Sequence, residues 1–542
     1  MVNDDAGQNQ PPALGRDAGI FAFDHQHAGP AQELVQLLGG KGAGLAEMSA
    51  ALGLAVPPGF TVSVPVGRVY RSDGWPAGLD DALTEHTERL GQTVGRRFGD
   101  AADPLLLAVR SGAPVSMPGM LDTVLNLGLN DETVLGLAAR SGDERFAWDS
   151  YRRFVLMYAT TVMGVPEAEL AAAADGPAEL SGQVARLRER AERIARRPLP
   201  ADPYVQLREA VEAVFRSWEC GRARAYRAKE GIDEDMGTAV NVQAMVFGNR
   251  GPRSGTGVVF TRDPATGEPV PYGDYLPQAQ GEDVVAGAAR TMPISHLGEH
   301  EPAAYQELLR VLRRLEVHYR DVCDVEFTIE DGRLWLLQTR IGKRSAGAAV
   351  RIAVDLVDDP DIRLDPAEAL IRVPVPLRER ARREAQGQAG SADAGAELFV
   401  IGLGASPGRV SGRVVLSSEE AADADGDVIL VRAETSPEDV AGMAASAGVL
   451  TTTGGLVSHA AVVARGWGIP AVVGAHELAL ADGQVCSASG LTVRAGEVIT
   501  IDGTTGQVWR GTVSSGDAAL ATEAALPQLD VLEAWAQTLI RL

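Results

Sequence analysis

Hydrophobic and polar positions follow two periodicities along the chain, which predict a mixture of strands and helices. Between residues 131 and 231, Ala, Leu, Glu and Arg recur at helical spacing. Short runs rich in β-branched and aromatic residues are typical of strands, and they occur at 20–23, 239–243, 257–260, 325–329 and 334–337. The pattern predicts a large α/β or α+β unit over residues 20–345, with a largely helical insert at about 131–231.

A second compact unit is predicted over residues 398–514, where short β-branched strands alternate with helices such as 437–444 and 458–465. The segment that joins the two units, 346–397, begins with a helical pattern. It continues into a stretch rich in Pro, Arg, Gly and Ala, residues 375–396, which is typical of an exposed linker. We therefore expect a multidomain protein with a hinge between its units.

The two ends of the chain differ from these units. Residues 1–19 are polar and lack the apolar stretch of a signal peptide, so a disordered tail is predicted. In residues 515–542, Leu529, Leu532, Trp535 and Leu539 follow Pro527 at helical spacing. A connector helix is predicted there, which either packs back on the second unit or docks a separate subunit.

Composition excludes several classes of function. The formal net charge of −23 over 542 residues disfavours general nucleic-acid binding, which requires a basic surface. The arginine-rich run at 186–197 is interleaved with glutamates, as on a solvated helix face. Three cysteines without paired spacing fit a reducing, cytoplasmic environment, and no apolar run is long enough to cross a membrane.

The most specific segment lies at 451–470. A β-branched strand stops at Gly454 and Gly455, Ser458 can act as an N-cap, and a helix is predicted to begin at His459. The N-terminus of a helix favours negative charge, so an imidazole at that point suits phosphorylation. A buried structural histidine is the alternative for an isolated Ser-His pair.

Polar pairs on two predicted strands suit a metal–polyphosphate ligand. Asp324 and Glu326 are two residues apart on a strand, so both side chains leave the same face. Gln338 and Arg340 form a matching pair on the next strand, after the turn at 331–332. Carboxylate oxygens suit Mg²⁺, whereas an exposed polar strand face is the alternative. Lys41 and Arg110, which stand beside glycine-containing turns, are cations suited to phosphates, although either alone is more often a surface charge.

The 451–470 segment resembles the phosphohistidine motif of the pyruvate, phosphate dikinase family of PEP-utilising enzymes. The flanking segments 405–408, 432–439 and 501–506 resemble it too. In that family the histidine lies on a β/α swivelling domain that carries phosphoryl groups between distant sites, which implies a catalytic role for His459. Plant members of the family carry a regulatory threonine two residues before the histidine, where this chain has Val457.

The first unit resembles the ATP-grasp nucleotide-binding part of the same family. The resemblance rests on 38–48, 109–112, 117–123, 255–264, 280–283 and 324–330. It implies that Mg²⁺ is the cofactor and ATP a substrate, with Asp324 and Glu326 as metal ligands. The implied nucleotide-binding residues are Lys41, Arg110, Gly119, Thr123, Gly255, Glu282, Gln338 and Arg340. The loop at 116–119 is expected to close over the phosphates.

The resemblance implies that ATP and inorganic phosphate phosphorylate His459, giving AMP and pyrophosphate. The barrel that holds pyruvate in this family needs about 250 residues, which residues 516–542 cannot supply. We expect pyruvate to be reached on a separate barrel subunit. A small-molecule or protein acceptor and a non-catalytic nucleotide-binding remnant stay open as alternatives, as does homo-oligomerisation.

Overall fold

The computed structural model describes residues 19–27, 31–117, 120–174, 179–286, 291–387, 397–481, 483–513 and 526–540. The chain divides into two compact units, Met1–Val246 and Phe247–Leu542. This division falls inside the predicted 20–345 unit, because residues from 247 onward group with the rest of the chain. Most of the predicted tail lies outside the described residues.

The first unit is built around a five-stranded antiparallel sheet of order β1-β2-β7-β5-β6. Its strands, with the small β3–β4 pair, are β1 (Ile20–Ala22), β2 (Gly59–Val62), β3 (Arg97–Phe98), β4 (Pro104–Leu105), β5 (Leu107–Gly112), β6 (Thr123–Leu127) and β7 (Ala239–Ala244). Its helices are α1 (Ala31–Ala46), α2 (Val64–Asp73), α3 (Leu79–Val94), α4 (Thr133–Ser141), α5 (Glu144–Thr161), α6 (Glu167–Ala174), α7 (Leu180–Ala195), α8 (Pro203–Ser217) and α9 (Gly221–Glu230). Every residue of the central strand β7 is buried.

The helical insert predicted at 131–231 is confirmed as α4–α9. The arginine-rich run forms an ion-paired face of α7, where Arg188 contacts Asp131 and Arg193 contacts Glu189. Helix α1 is irregular. It begins at Ala31, is interrupted at Gly39 (φ 70°, ψ 167°) and ends in a π-helical turn at Glu47–Ala51. Only glycine adopts this backbone conformation without strain, so the kink depends on residue 39.

The second unit opens with an antiparallel sheet of order β10-β9-β8-β11-β12, called here the hairpin sheet. It consists of β8 (Gly255–Phe260), β9 (Tyr272–Pro277), β10 (Met292–Pro293), β11 (Cys323–Glu330) and β12 (Arg333–Ile341), with helices α10 (Gly281–Ala286), α11 (Leu297–His300) and α12 (Pro302–Tyr319). The hairpin between β11 and β12 turns at Asp331 and Gly332, whose φ angles are 49° and 78°. Two positive φ angles define a type I′ turn, as the Asp-Gly pair predicted.

An eight-stranded sheet of order β13-β23-β22-β15-β16-β17-β18-β14 forms the C-terminal α/β domain, residues 397–513. Its strands are β13 (Leu398–Ile401), β14 (Leu403–Ser406), β15 (Arg409–Val415), β16 (Val428–Arg432), β17 (Gly448–Thr451), β18 (Ala471–Val473), β22 (Val498–Asp502) and β23 (Gln507–Arg510). A small sheet adds β19 (Leu478–Ala481), β20 (Gln484–Ser487) and β21 (Thr492–Arg494), and the helices are α16 (Ser418–Ala422), α17 (Val440–Ala445) and α18 (His459–Trp467). Strands β15 to β18 are parallel, and α18 packs on this sheet.

The segment that joins the two predicted units, 346–397, is called here the connector. It contains three helices, α13 (Ala346–Asp358), α14 (Pro366–Arg372) and α15 (Val375–Gly387). The prediction of an exposed linker from 375 was wrong for this part, because α15 is helical and buries Ala381 completely. The remainder of that segment, 388–396, lies outside the described residues. The C-terminal helix α19 (Pro527–Ile540) buries Leu529 and Leu532 in the core formed by the connector helices. Its apolar face is therefore covered by the connector rather than by the C-terminal α/β domain.

Within the described ranges, no helix combines the length and the apolar character that crossing a membrane requires. The three cysteines are unpaired, and Cys323 is buried in β11. Arg262 and Glu316, both buried, form an ion pair with an Nε–Oε1 distance of 2.7 Å beneath the hairpin sheet. Arg262, which belongs to the 255–264 motif, therefore has a structural role as the partner of Glu316.

Candidate active site

His459 is the first residue of α18, as predicted from the glycine pair and Ser458. Gly454 has a φ of 93°, which lets the chain turn from β17 into the helix. Ser458 occupies the N-cap position, but its hydroxyl makes no capping hydrogen bond and is buried without a partner among the described residues. The first backbone N–H groups of α18 therefore point toward the histidine end of the helix without competition from a side-chain cap.

A hydroxyl group holds one nitrogen of the His459 ring. The Oγ1 atom of Thr435 lies 3.1 Å from Nδ1, whereas Nε2 is buried and has no hydrogen-bond partner within the described part of the chain. The contact follows from the fold, because β16 and β17 are parallel neighbours and their carboxyl ends meet at one edge of the sheet. Thr435 follows β16 and His459 follows β17, so the two loops converge.

Burial and nearby carboxylates shift the pKa of His459 in opposite directions. Burial lowers the pKa of the ring, and the charges of Asp439 and Glu438 partly oppose that shift. The Asp439 carboxylate is itself fixed, since it accepts from the Ser436 backbone N–H at 2.9 Å and is only 4% exposed. The net effect favours a neutral imidazole, whose unprotonated nitrogen carries the lone pair that a nucleophile needs.

The loop before His459 contacts the hairpin sheet. The Oδ2 atom of Asp274, in β9, accepts a hydrogen bond from the backbone N–H of Val457 at 3.1 Å. The Val457 side chain is buried in a cluster with Val258, Phe260 and Val284. Burial raises the pKa of Asp274, and its hydrogen bonds with Val457 and Thr291 oppose that shift. The histidine loop is thus held against β8 and β9 by one carboxylate and one apolar contact.

Arg465 lies on the same helix and is only 1% exposed. Its Nε donates to the Ala405 carbonyl at 3.0 Å and one terminal nitrogen donates to Leu456 at 3.1 Å. Its guanidinium carbon lies 5.8 Å from the centroid of the Phe260 ring, at a distance typical of a cation–π contact. Asp274 and Asp324 interact electrostatically with this buried charge, which offsets part of its desolvation.

The four polar residues predicted on β11 and β12 face each other across the hairpin. Asp324 is paired in register with Arg340, and Glu326 with Gln338. The Nε of Arg340 donates to Oδ2 of Asp324 at 2.7 Å, so the cation nearest this carboxylate is an arginine. Burial raises the pKa of Asp324, whereas Arg340 lowers it. The two same-face pairs predicted from residue spacing are therefore confirmed as neighbours.

These residues also fit Mg²⁺. The second oxygen of Asp324, Oδ1, is buried and has no hydrogen-bond partner among the described residues, although Oδ2 is engaged. Glu326 adds a partly exposed carboxylate two positions along the strand. Within the described ranges, no group of three or more His, Cys, Asp or Glu side chains is arranged to hold a metal ion. The pair therefore suits Mg²⁺ that takes its other ligands from substrate phosphates and water.

Three predicted nucleotide-binding residues lie close together in the first unit. Arg110 in β5 is paired in register with Thr123 in β6. Lys41 follows the kink at Gly39, where a Cβ would lie 1.6 Å from the carbonyl oxygen of Gly112 at the end of β5. The absence of a side chain at 39 therefore brings Lys41 to the end of the strand that carries Arg110.

The other predicted residues are less closely grouped. Gly255 begins β8, and a Cβ there would lie 2.5 Å from the Tyr275 ring, so packing also requires a glycine at this position. It pairs with Ile329, five residues along β11 from Asp324. Glu282 is in the first turn of α10 and is partly exposed. Gly119 lies outside the described residues.

Three residues of this site, Thr435, Asp274 and Arg465, were not predicted from the sequence. Thr435 lies in the flanking segment 432–439, directly after a predicted strand. That position was the signal that the sequence offered. Asp274 has no local signal, because its partner amide is 183 residues away. Arg465 belongs to the 451–470 segment, but its type and spacing did not indicate a role, which its burial reveals.

A buried histidine at a helix start, beside a sheet that carries paired carboxylates and an arginine, is an arrangement that could carry out phosphoryl transfer through a phosphohistidine. Comparisons with known proteins agree. The family described as pyruvate phosphate dikinase, AMP/ATP-binding domain, matches residues 66–295 and 296–358. The family described as PEP-utilising enzyme, mobile domain, matches residues 424–506.

Curated relatives match most of the chain. It is 46% identical to pyruvate, phosphate dikinase of Rhizobium meliloti (strain 1021) over 533 residues, which cover 91% of this chain and 58% of that protein. The corresponding enzyme of Clostridium symbiosum is 44% identical, with 93% and 59% covered, and the chloroplastic enzyme 1 of Oryza sativa subsp. japonica is 45% identical, with 90% and 53% covered. The chain belongs to the pyruvate phosphate dikinase family, and it spans a little over half the length of these relatives.

Proposed function

We propose that this chain transfers the β-phosphoryl group of ATP to Nε2 of His459, with inorganic phosphate as the second substrate. The observation that carries the proposal is the difference between the two ring nitrogens. Nδ1 is engaged by Thr435, whereas Nε2 is unpartnered at a helix N-terminus, in a chain whose preceding residues match an AMP/ATP-binding family. In this proposal the Thr435 hydroxyl accepts from Nδ1–H, which leaves the lone pair on Nε2.

The reaction proceeds in two displacements, and in each of them one bond forms and one bond breaks. In the first, Nε2 forms a bond to the β-phosphorus and the bond from that phosphorus to the oxygen bridging the α- and β-phosphates breaks, so AMP leaves with that oxygen. In the second, an oxygen of inorganic phosphate attacks the terminal phosphorus of the pyrophosphorylated histidine. Pyrophosphate leaves and phospho-His459 remains. No proton leaves Nε2, and the Nδ1–H bond to Thr435 stabilises the positive charge that develops on the ring.

The proposed nucleotide contacts neutralise charge and position the phosphates. Lys41 and Arg110, with Thr123 beside Arg110, act in the first unit, and Arg340 and Gln338 act on β12. Glu282 and the glycines Gly119 and Gly255 complete the proposed set. Asp324 and Glu326 would hold Mg²⁺, which supplies neutralisation of phosphate charge when bound. Catalysis would then depend mostly on orientation of the reacting groups.

For the final acceptor, we propose pyruvate bound on a barrel outside these 542 residues, placed on a separate subunit. Phospho-His459 would reach it by rotation of the C-terminal α/β domain. The proposal predicts that pyruvate alone does not discharge the phosphorylated chain. Discharge should require addition of the barrel, and discharge by pyruvate in its absence would contradict this placement.

Labelled nucleotides test the first two steps. With Mg²⁺ and ATP labelled in the β-position, wild-type protein should acquire acid-labile label. Label from the γ-position should be retained without phosphate and released as pyrophosphate when phosphate is added. His459→Ala should abolish both signals. His476→Ala, which removes an exposed histidine of the same domain, is the matched control and should label normally. Absence of label from wild-type protein under every co-substrate condition would refute the proposed function.

A further inference from the structure

The two adjacent glycines before His459 are required for different reasons. Gly454 has a φ of 93°, so its lack of a side chain serves the local backbone. Gly455 does not have a left-handed φ. A Cβ at 455 would instead lie 2.2 Å from Oδ2 of Asp274 and 2.7 Å from Oγ1 of Thr291. Both of these atoms belong to the hairpin-sheet part of the chain, so residue 455 must be glycine for an interdomain contact.

The next residues complete the same contact. The backbone N–H of Val457 donates to Oδ2 of Asp274 at 3.1 Å, and that carboxylate is only 3% exposed. The Val457 side chain is 5% exposed and packs among Val258, Phe260 and Val284. A side chain at 455 would displace the carboxylate, remove the hydrogen bond and lift Val457 from this cluster.

We propose that Gly455 and Val457 form a docking element, and that Gly455 is a positioning residue for phosphorylation of His459. The element seats the C-terminal α/β domain on β8 and β9 of the hairpin sheet. The hairpin sheet also carries Asp324 and Arg340. Docking therefore places His459 beside the sheet whose residues we assign to nucleotide binding. This inference rests on the proposed function, and it adds that the second glycine acts through docking and not through the shape of the histidine loop.

Hydrogen exchange of the Val457 amide reports on docking without any chemistry. In full-length Gly455→Ala protein without nucleotide, exchange of the peptide containing Leu456 and Val457 should be faster by about tenfold or more, as expected for loss of a hydrogen bond to a carboxylate. The thermal unfolding midpoint should stay close to wild type. Gly221→Ala is the matched control, because a Cβ at that helix position meets no atom within 4 Å.

A double-mutant cycle identifies the clash partner. Asp274→Ala should also accelerate exchange, since the acceptor is lost. The double variant Gly455→Ala/Asp274→Ala should exchange no faster than Asp274→Ala alone, because the new methyl group occupies space that the carboxylate has left. Additive effects would overturn the assignment of Asp274 as the residue that excludes a side chain at 455. Wild-type exchange in Gly455→Ala would overturn the docking element itself.

Labelling kinetics then separate docking from the proposed chemistry. Gly455→Ala should lower the maximal rate of His459 labelling from ATP, without a change in the ATP concentration that gives half of that rate. Normal labelling of this variant would refute the positioning role. If wild-type protein is never labelled but the exchange results hold, the proposed function fails and the docking element stands. Val457→Asp, which places a charge in the apolar cluster beside Asp274, should reproduce both effects.

Discussion

The Oγ1 atom of Thr435 lies 3.1 Å from Nδ1 of His459, although the two residues are 24 positions apart in sequence. A hydroxyl group can donate to Nδ1 or accept from Nδ1–H, and in the proposed mechanism it accepts, which places the lone pair on Nε2. Nε2 has no partner within the described residues. In that tautomer, Nε2 is the ring nitrogen that can react with a phosphoryl donor.

Replacement of Thr435 by valine tests this selection. Thr435→Val keeps the shape of the side chain and removes the hydroxyl group, so the tautomer preference weakens. We expect the rate of His459 labelling to fall by roughly twofold to tenfold, the range for one neutral hydrogen bond of about 0.5–1.5 kcal/mol. Thr435→Ser should retain most of the rate. Equal rates for the valine and serine variants would show that the hydroxyl has no such role.

The pH dependence of labelling follows from the environment of His459. Burial lowers the pKa of the ring below its ordinary value of 6.5. Protonation occupies Nε2, so only the neutral ring reacts. The single-turnover labelling rate should be constant above pH 6.5 and should fall only below that value. ATP binding measured over the same range controls for titration of the nucleotide. A decrease that begins above 6.5 would mean that the pKa is raised instead.

Neutralisation of Asp324 tests the metal assignment. Asp324→Asn removes the charge of a buried carboxylate that accepts from Arg340. We expect the Mg²⁺ concentration needed for half-maximal ATP binding to rise by about tenfold or more, because an uncharged amide is a weaker ligand for Mg²⁺. Asp331→Asn, in the exposed turn of the same hairpin, is the matched control. An unchanged Mg²⁺ requirement in Asp324→Asn would exclude this residue as a ligand.

The C-terminal helix provides a stability prediction. Leu532 is completely buried against the connector helices, whereas the adjacent Val531 is 36% exposed. Leu532→Ala should lower the free energy of unfolding by about 2–5 kcal/mol, as for other buried leucines. Val531→Ala should change it by no more than about 0.5 kcal/mol. Chemical denaturation of both variants would measure the difference, and similar losses would contradict the packing of α19 on the connector.

Local patterns predicted parts of the structure well. The hairpin of β11 and β12 follows from two strand patterns separated by Asp331 and Gly332, and its register places Asp324 opposite Arg340. The connector was harder to predict. Residues from 375 have the composition of a linker, yet α15 forms there because Ala381 is buried against the other connector helices. Burial is a property of the folded chain, and composition carries little information about it.

The sequence by itself determined the elements around His459, since a strand, a glycine turn and a helix start depend on residues within a few positions of one another. It also placed both pairs of polar residues on common strand faces, because side chains alternate along a strand. Only the tertiary structure decided which distant groups meet the histidine loop. Thr435 arrives through the pairing of two parallel strands, and Asp274 reaches Val457 across 183 residues. Such contacts depend on how whole sheets pack, and spacing along the chain does not encode them locally.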